Sequence, residues 1–220
     1  MAKNLNIVEH TVEFAGQQLV LTNLSALYIP ELKALVLADI HIGKSTHFQK
    51  HGIAIPNTIF RNDLNKLEML IHHFNPQKII VVGDMFHAEN NSEIQQFKDW
   101  KTQNSDVQFV LIKGNHDRYY HSIYKDLDVE IMQNELTWEG ITFIHNLEHY
   151  RVEGCTVSGH LHPGIYLKAK ARQHIKLPCF AIGKQHLILP AFSEFTGLNA
   201  RLDSHSFKFF AFTETGFFEF

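Results

Sequence analysis

Short apolar runs that each lead into a cluster of polar residues recur along the chain. The runs are four residues long and rich in β-branched side chains, which is typical of strands buried on both faces. They cover residues 35–38, 79–82, 109–112, 141–144 and 155–158. The sequence therefore predicts at least five buried strands with polar side chains at their carboxyl ends.

Two amphipathic helices are predicted between the first three of these runs. Apolar residues from Phe60 to Phe74, at steps of four and three, form one stripe, and Asn57 is the expected N-cap. A second helix is predicted from the capping-box pattern of residues 92–95, Ser-Glu-Ile-Gln. The alternation of strands and helices predicts an α/β fold with a largely parallel sheet covered by helices.

The two ends of the chain have strand patterns instead. Alternating apolar residues on either side of Gly16 predict an N-terminal hairpin. Residues 175–177, 179–182, 186–189, 207–212 and 217–220 predict antiparallel strands of a second sheet that packs on the first. No repeat or linker interrupts the pattern, so we expect one domain over residues 1–220.

Composition narrows the class of protein. The 220 residues suffice for one substantial domain, and 45% hydrophobic with 20% charged residues is typical of a globular chain. Neither a signal peptide nor an apolar run of about 18 residues is present, which predicts a cytoplasmic protein without a membrane span. A net charge of −3 does not indicate a broad basic surface for nucleic acid, although bound metal ions would add local positive charge.

Histidine is the unusual residue, with 16 copies, and several follow the apolar runs. Because ligand sites of α/β sheets lie beyond the carboxyl ends of the strands, the polar clusters are expected to converge on one rim. They supply seven oxygen or imidazole donors, a set that suits Mn, Fe or Zn, and seven donors suit two ions that share one carboxylate. These donors are Asp39, His41, Asp84, Asn115, His145, His160 and His162.

The order of these residues resembles a known family. Between residues 35 and 163 the chain contains Asp-x-His, Gly-Asp, Gly-Asn-His-Asp, a single His and Gly-His-x-His, in that order. This series is similar to that of the calcineurin-like metallophosphoesterase superfamily. The resemblance implies a four-layer sandwich, with two packed mixed β-sheets flanked by helices, and a centre for two divalent metal ions, Mn²⁺ being expected and Fe or Zn the alternatives.

The resemblance also implies a role for each ligand. Asp39, His41 and His162 would hold the first metal ion. Asn115, His145 and His160 would hold the second, and Asp84 would bridge the two ions.

A narrower similarity extends over most of the chain. The segments 38–44, 52–56, 189–192 and 195–197, together with Phe48, resemble the DNA-ligase-associated branch of bacterial metallophosphoesterases. That branch implies DNA repair or processing and a functional association with a DNA ligase and a helicase.

The expected activity follows from this family chemistry. A hydroxide bridging the two metal ions would attack a phosphate ester in line, and His116 would act as general acid, oriented by Asp117. We expect a phosphodiesterase acting on nucleic acid or nucleotides. Two alternatives stay open: a phosphomonoesterase or pyrophosphatase of a small metabolite, and a non-catalytic interaction module of the same fold.

Other residues are weaker candidates. Lys44, His87 and Arg118 lie close enough in sequence to the motifs to contact the phosphate ester. The basic run Lys168, Lys170, Arg172 and Lys176 is either a solvated strand face or a stripe that binds a nucleic-acid backbone. The sequence does not indicate an oligomeric state.

Overall fold

The computed structural model describes residues 6–56, 58–87, 91–117, 121–149, 153–168 and 174–220. Its strands are β1 Glu9–Phe14, β2 Gln17–Thr22, β3 Leu27–Ile29, β4 Ala34–Leu37, β5 Lys78–Val82, β6 Gln108–Ile112, β7 Val129–Met132, β8 Glu135–Trp138, β9 Ile141–Ile144, β10 Cys155–Ser158, β11 Gly164–Lys168, β12 His174–Ile182, β13 His186–Ile188, β14 Lys208–Thr213 and β15 Gly216–Glu219. Its helices are α1 Lys44–Lys50, α2 Thr58–Phe74, α3 Ser92–Gln103 and α4 His121–Asp126, with a 3₁₀ turn at Leu147–His149.

The first sheet contains seven strands in chain order, from β1 to β7. Strands β1 to β4 pair antiparallel, which confirms the hairpin predicted around Gly16. Strands β4 to β7 pair parallel, with α1 and α2, α3 and α4 as successive crossovers. This half of the sheet is the parallel α/β unit that the sequence pattern predicts.

The second sheet has the order β15-β14-β12-β13-β10-β9-β8, with β11 paired to β12. Strands β9, β10 and β13 run parallel, and the other pairs run antiparallel. The prediction of two packed mixed sheets with flanking helices is confirmed. The five apolar runs are divided between the sheets, because β4, β5 and β6 belong to the first and β9 and β10 to the second.

Burial on both faces explains why the central strands are apolar throughout. In β5, Ile79 and Val81 pack in the cluster under the helices. Ile80 and Val82 alternate with them and pack in the cluster between the two sheets. A strand covered by helices on one side and by a sheet on the other has no face for polar side chains.

The start of α3 differs from the prediction. The N-cap is Asn91, whose side-chain oxygen accepts hydrogen bonds from the backbone N–H groups of Glu93 and Ile94. The predicted capping box beginning at Ser92 is therefore wrong by one position, and Ser92 is the first helical residue. The predicted cap of α2, Asn57, lies outside the described residues. Within those residues, no helix is long and apolar enough to cross a membrane.

A buried ion pair on α2 fixes a loop near the carboxyl end of β4. Lys66 and Asp63 lie 2.9 Å apart, and their side chains are only 6% and 5% exposed. The Lys66 ammonium also donates a 2.6 Å hydrogen bond to the carbonyl of Phe192. Two backbone hydrogen bonds join this loop to the residues just after β4. The N–H of Phe192 donates to the carbonyl of Ala38, and the N–H of Ser193 donates to the carbonyl of Asp39. The loop after β13 is thereby tied both to α2 and to the chain that enters the metal centre.

Candidate metal centre

Five strands from the two sheets bring their polar clusters to one end of the sandwich. The loops after β4, β5 and β6 come from the first sheet, and those after β9 and β10 come from the second. Six of the seven predicted ligands form two groups, in each of which the donor atoms lie within 4.8 Å of one another. The groups are Asp39, His41 and His162, and Asp84, His145 and His160. The first group contains the three residues that the resemblance implies for one ion, and the second joins His145 and His160 with Asp84, whose bridging role stays a prediction.

The first group has a fully buried carboxylate at its base. Asp39 is 0% exposed and His41 is 5% exposed, whereas His162 is partly accessible. The distance between His162 Nε2 and Asp39 Oδ1 is 3.2 Å. Burial and the charge of nearby Lys44 lower the pKa of His41 to about 2, so its imidazole is neutral and its lone pair is available to a metal ion.

The second group is built around Asp84 and His145, each 3% exposed. His145 Nε2 lies 3.4 Å from Asp84 Oδ2, and its Nδ1 lies 3.0 Å from the carbonyl of Val82. The carbonyl requires a proton on Nδ1, which directs the lone pair of the neutral ring from Nε2 toward the carboxylate. Burial opposes the charged form, but the hydrogen bond and charge of Asp84 raise the pKa of His145 to about 9. A divalent ion between the two side chains would replace this proton.

Hydrogen bonds that involve backbone groups connect the two ligand groups. Asp39 Oδ2 accepts a 3.0 Å hydrogen bond from the N–H of His160, which belongs to the other group. In the opposite direction, the N–H of His41 donates to the backbone carbonyl of Asp84 at 3.0 Å. A displacement of either group would therefore move the other.

The donor atoms fit divalent ions. Asp39 Oδ1, His41 Nδ1 and His162 Nε2 are buried atoms that have no hydrogen-bond partner in the described part of the chain. Leaving buried polar atoms unpaired is costly, so such atoms at one place require an explanation. Oxygen and imidazole donors about 3 Å apart, facing one another, are the arrangement that a Zn- or Mn-sized ion needs.

Backbone strain is concentrated at the same residues. Asp39, His41, Asp84, His160 and His162 all have positive φ, between 46° and 66°. The left-handed region costs a side-chain-bearing residue about 1–2 kcal/mol, although Asp and His tolerate it better than most. Strain of this kind persists where the surrounding structure imposes it, and it is typical of functional sites.

Gly83 gives a direct test of how tightly the second group is packed. A Cβ on Gly83 would lie 2.0 Å from His145 Nδ1, whereas a Cβ on Gly140 would meet no atom within 4 Å. The two glycines have nearly the same φ, +81° and +78°. Gly140→Ala is therefore expected to cost about 1 kcal/mol of unfolding free energy from backbone strain alone.

Gly83→Ala should cost at least about 2 kcal/mol more, because the buried His145 ring must shift. It should also lower the affinity of the second group for metal. Urea denaturation and elemental analysis of both variants would measure this. Equal losses of stability and unchanged metal content in the two variants would contradict the packing argument.

The mouth of the centre is formed by exposed residues of the loop after β6. Asn115 and His116 are exposed, and no described contact places Asn115 in either group, so its role as a ligand stays a prediction. The N–H of His116 donates to Asp84 Oδ1 at 2.9 Å, and its Nε2 lies 4.0 Å from Asp84 Oδ2. The His116 ring, 47% exposed, thus lies over the ligands without belonging to them.

Of the three predicted substrate contacts, His87 lies beside His116 and Lys44 lies near the carboxylates of the two ligand groups. The ring centroid of His87 is 4.6 Å from that of His116 and 5.3 Å from that of His41. Burial, together with the nearby side chains of His116 and Lys44, lowers the pKa of His87 to about 4, so His87 is neutral at pH 7. Lys44 is half-buried at the start of α1, near Asp39 and Asp84. Arg118 lies outside the described residues.

Asp117 has a different set of contacts from the one expected. Its carboxylate is 1% exposed and accepts hydrogen bonds from the N–H groups of Gly114, Met85 and Phe86 and from the hydroxyl of Tyr124. None of these described contacts is to the His116 ring. Asp117 therefore joins the loop after β6 to the loop after β5, and it positions His116 through the backbone.

Sequence reasoning missed residues whose contacts are distant in the chain. Glu93, 5% exposed on α3, accepts hydrogen bonds from Ser45 and from backbone groups at the start of α1, which has no side-chain cap of its own. Phe195 lies 5.3 Å under the Lys44 ammonium. Neither contact has a local sequence signal, because each joins segments far apart in the chain.

The sequence profile described as calcineurin-like phosphoesterase matches residues 32–169, which include every residue of the two metal-ligand groups. The chain belongs to the calcineurin-like phosphoesterase family. It is accordingly a metal-binding hydrolase of phosphate esters.

The chain is similar to two further proteins. The crystal structure of the nuclease MPE of Pseudomonas putida superposes with a TM-score of 0.80 and 28% sequence identity, over 93% of this chain and 96% of that one. A metallophosphoesterase of Campylobacter jejuni, Cj0846, which carries the description uncharacterized, is 28% identical over 99 residues. That match covers 45% of this chain but only 23% of the relative.

Proposed function

We propose that this calcineurin-like phosphoesterase is a phosphodiesterase that cleaves nucleic acid with two divalent metal ions. The observation that supports a nuclease over other phosphoesterases is its likeness, over nearly the whole length of both chains, to the P. putida nuclease. The two adjacent ligand groups support the use of two ions. The same likeness is compatible with membership of the DNA-ligase-associated branch and a role in DNA processing, which we also propose.

The residues of this chain would act in distinct ways. Asp39, His41 and His162 would hold one ion, and His145 and His160 with Asn115 would hold the other, with Asp84 between them. Two such ions supply Lewis acidity for in-line attack at phosphorus and neutralise the charge of the phosphate. We expect Mn²⁺, with Fe or Zn as the alternatives, since oxygen and imidazole donors without a thiolate suit these ions.

His116 would complete the reaction at the leaving group. Its ring is exposed at the mouth while its backbone N–H is fixed to Asp84, so the imidazole has a defined position over the centre. A proton delivered from this ring to the departing oxygen would avoid release of a free alkoxide. His87 contacts the His116 ring, and we propose that Lys44, which lies near Asp39 and Asp84, pairs with a phosphate oxygen.

A paired rate assay tests the proposal. Protein stripped with chelator and reloaded with Mn²⁺ would be given bis-p-nitrophenyl phosphate and p-nitrophenyl phosphate in parallel, followed by a labelled oligodeoxynucleotide. We expect metal-dependent cleavage with a higher kcat/KM for the diester, and cleavage of the oligonucleotide. The control is Asp39→Asn, which removes a buried negative charge from the first ligand group. This variant should lose the Mn²⁺-dependent cleavage of both the diester and the oligonucleotide.

The two remaining outcomes of the assay would each support a different function. Preference for the monoester would favour a phosphatase of a small metabolite. Hydrolysis of neither ester by protein that holds its metal ions would favour a non-catalytic interaction module.

A further inference from the structure

A series of aromatic rings extends outward from the metal centre. The His116 ring contacts His87 at 4.6 Å, His87 lies 6.2 Å from Phe48 with the ring planes 17° apart, and Phe48 contacts Phe195 at 5.4 Å. Phe48 and Phe195 are half-buried. Two partly accessible phenyl rings, Phe48 and Phe195, therefore lie two and three ring contacts away from the His116 ring, which we place at the leaving oxygen.

Phe48 is held in a fixed position relative to the metal ligands. It lies on α1, which begins three residues after His41. The start of that helix is held by α3, because Glu93 accepts hydrogen bonds from it and Asn91 donates one to the carbonyl of Gly43.

Phe195 is held with comparable precision from the other side. It lies in a turn in which Phe195 N–H donates to Ser193 Oγ. The segment just before this turn is tied to Lys66 of the buried ion pair and to the carbonyls of Ala38 and Asp39. Both rings are thus anchored to the backbone that carries the first group of ligands.

A cation completes the arrangement. The Lys44 ammonium lies 5.3 Å from the centroid of Phe195, on the side of the cluster near Asp39 and Asp84. Partly exposed rings bordered by a cation are the combination with which proteins bind single-stranded nucleic acid, because bases stack on the rings and a phosphate pairs with the cation.

We propose that Phe48 and Phe195 form a stacking subsite for an unpaired nucleobase next to the scissile phosphate, with Lys44 at its edge. This inference rests on the proposed nuclease function and adds to it the part of the substrate that is recognised. A base must leave the duplex to stack in this way, so the subsite selects a strand whose bases are free at the cleavage position.

The test compares two strands that have the same phosphates. One is a short oligothymidylate, and the other is the same backbone made of abasic tetrahydrofuran residues. The kcat/KM ratio of the two strands would be measured for the Mn²⁺-loaded wild type, Phe48→Ala, Phe195→Ala and Phe48→Tyr. Phe218→Ala is the matched control, because Phe218 is 48% exposed on β15, away from the centre.

We expect the wild type to prefer the strand with bases and each alanine variant to lose about tenfold of that preference. Phe48→Tyr and Phe218→Ala should keep it. Binding of the labelled oligothymidylate in EDTA, measured by fluorescence polarisation, should weaken by about the same factor in the two alanine variants. A ring that served only to pack α1 against the loop would lower the activity on both strands equally and leave the ratio unchanged.

The subsite and the nuclease function can fail separately. If the wild type cleaves both strands with equal kcat/KM, or if both alanine variants keep the wild-type ratio, the stacking subsite is wrong while the nuclease function stands. If the wild type hydrolyses bis-p-nitrophenyl phosphate but neither strand, the nuclease function and the subsite are both wrong and the phosphodiesterase activity stands.

Discussion

Replacing His116 with alanine is expected to lower kcat on an oligonucleotide by about 10²- to 10⁴-fold while both metal ions stay bound. The imidazole belongs to neither ligand group, and its side chain is 47% exposed, so its removal leaves the buried donors in place. The backbone N–H that donates to Asp84 is also retained in the variant. Elemental analysis and turnover measured on the same preparation would separate the two effects.

The role of His116 as general acid can also be tested by comparing two substrates with different leaving groups. A p-nitrophenolate departs without much help from a proton, whereas a deoxyribose oxygen needs one. His116→Ala should therefore lose much less activity on bis-p-nitrophenyl phosphate than on the oligonucleotide. His72→Ala, which removes an exposed histidine of α2, is the control and should behave as the wild type. Equal losses on both substrates, or loss of metal, would contradict the role as general acid.

Asp84→Asn is expected to lower metal affinity by about 100-fold or more and to abolish turnover under limiting metal. Asparagine keeps the shape of the side chain and an oxygen that can accept from His116 N–H, so the variant removes mainly the negative charge. The Asp84 residue is only 3% exposed, and its Oδ2 lies 3.4 Å from His145 Nε2. Because we propose that this carboxylate bridges the two ions, we expect both to be lost together.

Thermal unfolding with and without Mn²⁺ would test this without relying on activity. The metal-dependent rise in Tm should shrink in Asp84→Asn, since bound metal stabilises only the folded state. Asp99→Asn, an exposed carboxylate on α3, should keep the full rise. Two full metal equivalents in Asp84→Asn would contradict the bridging assignment.

Local patterns in the sequence anticipate much of this architecture. The apolar runs were predictable as strands, because a strand buried on both faces has no polar positions. The position of the ligands was predictable as well, because donors that directly follow such strands lie at their carboxyl ends. The structure brings six of them into two groups, although the role of each single residue stays a prediction.

Long-range contacts limit what the sequence reveals. The assignment of β9 and β10 to the second sheet depends on their pairing with each other and with β8 and β13, and each of these strands alone resembles β5 or β6. The cap of α3 was missed by one residue, because Asn91 and Ser92 are both good caps and only the extended backbone of Asn91 decides between them. The contact of Lys44 with Phe195 joins residues 151 positions apart in the chain, and no local sequence pattern predicts such a contact.

The left-handed backbone of the metal ligands has an evolutionary consequence. Five residues of the centre have positive φ, and two of them are deeply buried carboxylates. Both features lower the stability of the fold, and both are at residues that we assign to metal binding. Glycine or asparagine at such a position would relax the chain, so mutations that inactivate the enzyme need not impair folding. Family members that lost catalysis could thus drift at these positions without losing the fold, and persistence of all five residues in a lineage would record selection for chemistry rather than for stability.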